Sequence, residues 1–200
     1  MYKLLFVPDQ VINPSEVFQE WRNILRPRHK KVRRFLPKSL KEAFVKGRYL
    51  EDATANVLKS HGIHFIREQF IEYKGVTGQI DFIITMPRWR IIETKYVKSG
   101  KFNDLWLVQT MIYALGAKVS EVMILYGNDA GFNVVDVSFN PRIARMFVRE
   151  LVKAAKPAKR ISAGDLIGYH TLKSPKIGIS VVRRMLHARL KDGLVHHLDG

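Results

Sequence analysis

Gly78-Gln79-Ile80-Asp81 and, twelve residues after Asp81, Glu93-Thr94-Lys95 within Arg90-Ile91-Ile92-Glu93-Thr94-Lys95-Tyr96 decide how this chain folds. The runs that contain them, Gln79–Thr85 and Arg90–Val97, are rich in Ile, Phe, Tyr and Thr. With Ile63–Tyr73 before them, and turn signals at Gly75–Gly78 and Met86-Pro87 between them, they read as three antiparallel strands, 63–73, 79–85 and 90–97. Side chains alternate along a strand, so Glu93 and Lys95 are expected on one face about 6–7 Å apart, with Thr94 facing away. A hairpin neighbour lies about 4.8 Å distant, which puts Asp81 beside Glu93. Two carboxylates and an ammonium among apolar residues are costly to bury uncompensated. A divalent cation is the simplest compensation, held by Asp81, Glu93 and the carbonyl of Thr94. Carboxylates without thiolates or a His cluster favour Mg²⁺ over Zn²⁺, with Mn²⁺ able to substitute. Such an ion polarises a phosphate oxygen and acidifies water, and Lys95 would orient that water or offset charge growing on phosphorus. The alternative is an acid–lysine ion pair on a solvated sheet face.

Outward from this centre the period changes. Apolar residues recur at helical spacing from Ser39 to Ser60, ending at His61-Gly62, and Glu51 lies in that helix where it could approach the metal as a third carboxylate. A second helix, Asn103–Lys118, has Asn103 as N-cap and carries Gln109 and Tyr113 four apart, hence on one face. Glu121–Tyr126 and Phe132–Phe139 read as strands, and Asn140-Pro141 opens a helix to about Lys156.

This ordered set resembles the PD-(D/E)XK nuclease superfamily, and the Gln-x-x-x-Tyr element resembles its RecB-type branch, over about residues 39–139. The resemblance implies an α/β, restriction-endonuclease-like core with a mixed central β-sheet flanked by helices. It implies Asp81 and Glu93 as metal ligands, Lys95 as the catalytic lysine and Glu51 as the helix carboxylate. Gln109 and Tyr113 would position DNA or the catalytic loop. The residue before Asp81 is Ile80 where the family name has Pro. The four cysteines of the iron–sulfur RecB-type exonucleases are missing, which leaves a cysteine-free branch or the archaeal Holliday-junction resolvases. Exonuclease and structure-specific or junction endonuclease both stay open.

The composition agrees with an anionic polymer as partner. Of 200 residues 34 are Lys or Arg and 18 are Asp or Glu, a formal net charge of +16, and no cysteine is present. Disulfides, thiolate zinc sites and a cysteine nucleophile are thereby excluded. Between Arg22 and Arg48 the only acid is Glu42. Arg28, Lys30, Lys31, Arg33 and Arg34 in that stretch, with Arg183, Arg184 and Arg189 near the C-terminus, are candidate phosphate contacts. DNA is the expected partner, single-stranded, duplex or branched, and a homodimer is possible in solution; RNA is a third possibility.

Three regions follow: an N-terminal strand, helix and basic loop (1–38), the nuclease core (39–156) and a basic, winged-helix-like or helix-turn-helix module (157–200). That module would hold helices at Ser162–His170 and Ile179–Lys191 behind a linker at Lys153–Arg160. Met1–Val7 reads as a strand and not a signal peptide, no run is long enough for a membrane helix, and no phosphate-binding loop for ATP is present. The cytoplasm is the expected compartment, or a host's cytoplasm for a viral source. His64 could reach the site, His196-His197 reads as surface, and Trp89 and Trp106 read as core or rim. The competing function is a DNA-binding or architectural protein with a nuclease-derived core that does not cleave.

Overall fold

The computed structural model describes residues 12–25, 38–86, 88–155, 161–166 and 177–197. The expected N-terminal strand, the basic residues 28–34, Pro87 and most of the linker lie outside them. Among the described residues the order is α1 (Pro14–Leu25), α2 (Lys38–Ser60), β1 (His64–Tyr73), β2 (Val76–Met86), β3 (Arg90–Tyr96), α3 (Leu105–Ala117), β4 (Glu121–Asn128), β5 (Gly131–Phe139), α4 (Pro141–Ala155), β6 (Ile161–Ser162), α5 (Ala163–Leu166), α6 (Ile179–Lys191) and β7 (Val195–His197).

Local chemistry explains the boundaries. Asn13 caps α1 by accepting the Ser15 amide at 2.9 Å, and Asn140 caps α4 by accepting those of Arg142 and Ile143, each just before a proline at the first helical position. Asn103 accepts the Leu105 amide at 3.1 Å and starts α3. The β1–β2 hairpin turns on Lys74 and Gly75, both at positive φ (54° and 76°), which matches the twist of a two-residue turn.

The seven strands form one mixed sheet in the order β1-β2-β3-β4-β5-β7, with β6 beside β2. β1–β2, β2–β3, β4–β5 and β5–β7 are antiparallel, whereas β3–β4 and β2–β6 are parallel. The α3 crossover makes the β3–β4 pair parallel, as strands linked through a helix require. One face of the sheet buries Ile83, Ile91, Ile124 and Val137 against α3, α4 and α6. The other buries Phe82, Ile84, Ile92 and Leu125 against α1 and α2, with Trp21 and Leu50 at its centre. The mixed α/β sheet flanked by helices is therefore present.

The C-terminal segments do not stand apart. β7 pairs with β5, Ile161 pairs with Val76, and Leu166, Val182, Leu186 and Leu194 lie in the same core as α3 and α4. Their apolar side chains find a larger burial against the main sheet than a small module could offer. Helix 179–191 is as expected; of the helix expected at 162–170, residues 162–166 belong to β6 and the one-turn α5, and residues 167–170 lie outside the described residues.

One irregularity matters for everything below. The β2–β3 ladder contains only Phe82↔Ile92, Ile83↔Ile91 and Ile84↔Arg90. It stops immediately before Asp81 and Glu93, although both strands continue. At the same step β1 pairs Arg67↔Phe82 and Gln69↔Ile80, skipping Glu68, which has φ 55°. Ile80 and Ile83 lie in one core and Phe82 and Ile84 in the other, so the alternation of β2 reverses at Asp81. β2 and β3 part like the arms of a Y, with Asp81 and Glu93 at the fork.

Candidate functional site

The fork frees the Thr94 amide from the ladder, and Asp81 takes its place. Asp81 Oδ2 accepts the Thr94 N–H at 2.7 Å and the Thr94 hydroxyl at 2.8 Å. Thr94 thus departs from the expectation that it faces away: its hydroxyl is bound into the cluster. Asp81 likewise lies between the strands, and not simply beside Glu93 on one face. Glu93 and Lys95 do share a face, with Lys95 Nζ donating to Glu93 Oε1 at 2.5 Å.

Glu93 is 2% exposed, and among the described residues its second oxygen, Oε2, has no hydrogen-bond partner. Burial, and after it the charge of Asp81, pushes the Glu93 carboxyl up to about 8 against the pull of Lys95. A buried carboxylate oxygen facing another carboxylate is a group in want of a cation.

Glu51 approaches from α2. Burial first, then the Asp81 charge, raises it to about 7. Its Oε2 is 3.2 Å from Arg48 Nη1 and 3.7 Å from Arg67 Nη2. Arg48 also binds Glu68, the residue at positive φ opposite the fork, and Arg67 binds Asp52. This collar of Arg48, Arg67, Glu68 and Asp52 was missed by reading the sequence. The Arg48–Glu51 pair, three apart on a helix, was its one local signal.

Gln109 and Tyr113 reach the same place from α3. Gln109 Nε2 donates to the Tyr113 hydroxyl at 2.8 Å, and each is 3% exposed. Burial, and then the Glu93 charge, raises the Tyr113 phenol. Ten of the thirteen α3 residues are buried, so this pair lies beneath the cluster and not on an open surface. Gly78 makes that approach possible: a Cβ there would lie 2.2 Å from Tyr113 Cε1. Asp81, Glu93, Thr94, Lys95, Glu51, Gln109 and Tyr113 are all brought together.

Other expected contributors are elsewhere. His64 pairs with Met86 at the far end of β2. Trp106 is core and Trp89 is 57% exposed. Arg183 binds Asp104 at 3.0 Å, and Arg189 binds Glu150 at 2.7 Å and Asp192 at 3.0 Å; Arg184 is exposed. Two of the three expected α6 phosphate contacts therefore have their charge matched within the chain. Arg28, Lys30, Lys31, Arg33 and Arg34 fall outside the described residues.

No family model matches this sequence, and no curated protein matches it. Among solved structures, the crystal structure of SSO0001 is similar at 14% identity and a TM-score of 0.41, over 82% of this chain and 96% of that one. No helix among the described residues is long and apolar enough to cross a membrane.

Among the described residues no group of three or more His, Asp or Glu side chains is placed to hold a metal ion. The donor set suits a hard cation that keeps much of its water. Mg²⁺ commonly takes one or two carboxylates, and here the orphaned Glu93 Oε2 and the Asp81 carboxylate offer two.

Proposed function

We propose that this chain is a divalent-metal-dependent DNA phosphodiesterase of the PD-(D/E)XK kind. The observation that carries the reading is Glu93 Oε2, a buried and unpartnered carboxylate oxygen at a fork where Asp81 also converges. Asp81, Glu93 and the Thr94 carbonyl would hold Mg²⁺, or Mn²⁺ in its place. When bound, such an ion supplies Lewis acidity, polarising a phosphoryl oxygen and lowering the pKa of attacking water.

The chain's own groups supply the rest. Thr94 fixes Asp81 through two hydrogen bonds, so that carboxylate is oriented before any ligand arrives. The Lys95 ammonium offsets the negative charge that grows on the phosphoryl group during attack. Glu51 sits near neutrality, in the range where a carboxylate both accepts and returns a proton. Tyr113, locked by Gln109 and packed on Gly78, holds the floor beneath Glu93.

A second reading rests on the Lys95–Glu93 ion pair: with the acid already compensated, the chain is a DNA-binding protein that does not cleave. End-labelled single-stranded, duplex, flap and four-way DNA, with an RNA control, separates the two. Cleavage in Mg²⁺ that is abolished in Asp81→Ala and Glu93→Ala, and reduced by orders of magnitude in Lys95→Ala, supports the hydrolytic reading. Binding without cleavage of any substrate in Mg²⁺ or Mn²⁺ overturns it.

A further inference from the structure

The outer face of α4 carries Arg142, Arg145, Arg149 and Lys153, spaced i, i+3, i+7 and i+11 so that they align in one stripe. All four are exposed. Elsewhere most of the described arginines meet carboxylates, namely Arg48, Arg67, Arg88, Arg90, Arg183 and Arg189. For the α4 stripe no acidic partner is found among the described residues. The one acid on that side of the helix, Glu150, is engaged by Arg189 of α6.

The opposite face of α4 is spent. Ala144, Phe147, Val148 and Leu151 are fully buried in the core, so this helix has no apolar face left to enter a lipid surface. What remains is a rigid row of four cations over about 16 Å at 1.5 Å per residue. Arg184 and Lys191 on the solvent face of the neighbouring α6 add to it.

We infer that the α4 stripe is a docking surface for the phosphate backbone of duplex DNA. A strand of duplex advances about 3.4 Å per phosphate along its axis, so the stripe spans roughly five base pairs. Fixed positions on a helix suit a stiff, regular polyanion. The contacts are to backbone, so binding is independent of sequence. This inference deepens the proposed function by naming duplex as the form held, and it rests on that reading for the identity of the polyanion.

The test measures binding of a fluorescent 20-base-pair duplex to the full chain in chelator, across a salt series, so that cleavage plays no part. Replacing all four cations by Gln should flatten the slope of log K against log salt by about 3.6, since each phosphate that a cation neutralises adds about 0.9 to that slope. The pairs R142Q/R145Q and R149Q/K153Q should each give about half of that, with the thermal midpoint unchanged as a control on folding. An unchanged slope in the fourfold variant overturns the inference, as does stripe-dependent binding to phosphatidylserine-rich vesicles with none to duplex. A chain that binds duplex through the stripe but never cleaves it keeps this surface and loses the nuclease reading. Cleavage with an unchanged salt slope does the reverse.

Discussion

Asp81 and Thr94 are joined twice, the carboxylate Oδ2 accepting both the amide and the hydroxyl of a residue on the next strand. A side chain here stands in for the ladder partner that β3 loses where β2 turns away. The bond therefore satisfies an amide that would otherwise be unpaired at the fork, and it sets the direction of a carboxylate proposed to hold a cation.

Thr94→Val removes the hydroxyl donor and keeps the amide. A hydrogen bond to a charged group contributes about 1.5–3 kcal/mol, so a loss near the low end is expected, since half of the arrangement survives. Equilibrium urea unfolding reads the stability, and a weaker apparent Mn²⁺ affinity should accompany it. A variant that matches wild type in both would show that Thr94 does not orient Asp81.

Glu93 and Lys95 form a buried pair, with side chains 2% and 8% exposed. Removing one partner of such a pair leaves the other charge uncompensated and costs about 3–5 kcal/mol. Lys95→Ala should lose stability on that scale, whereas Lys95→Ala with Glu93→Gln should recover part of it. Purely additive effects in the double-mutant cycle would argue against the coupling.

The metal-free protein should lose stability as pH rises. Glu51 and Glu93 are raised from an ordinary 4.5 to about 7 and about 8, so the folded state holds their protons more tightly than the unfolded chain does. Their contribution is complete below pH 4.5 and is lost as pH climbs through the folded values. In chelator the thermal midpoint should fall by several degrees across this window, and Mg²⁺ should restore it progressively over the same range. A midpoint in chelator that rises with pH through this window contradicts the assignment. Glu93→Gln should flatten most of the trend.

Gly78→Ala places a methyl within 2.2 Å of the Tyr113 ring. Overpacking of this kind costs about 1–3 kcal/mol. Trimming the ring with Tyr113→Ala should relieve the clash, so the double variant should be less destabilised than the sum of the singles. Full additivity would mean that the ring does not rest on Gly78.

Much of this was legible in the residues themselves. The strand carrying Glu93 and Lys95, and helices α2, α3, α4 and α6, are long periodic runs, α3 and α4 with asparagine caps, so their type was set by nearest neighbours. The fork was not legible. Alternation says which face a residue takes, but it does not say at which rung two strands cease to pair. The reversal at Asp81, with the positive φ of Glu68 opposite, is a property of two strands together. β6 and β7 were equally hidden, being two and three residues long and held by pairing with Val76 and Phe139 far away in sequence. The collar around Glu51 joins α2 to β1 across elements. The pairing of Arg183 and Arg189 with Asp104 and Glu150 exists only because α6 packs beside α3 and α4.

Calorimetric titration of Mn²⁺ into the 200-residue chain at pH 8 bears most directly on the fork as a cation site. The account predicts one saturable site in wild type, lost in Asp81→Ala and in Glu93→Ala and retained in the α4 variant R142Q/R145Q/R149Q/K153Q. Heat of the same size in Asp81→Ala, or none in wild type, would contradict it.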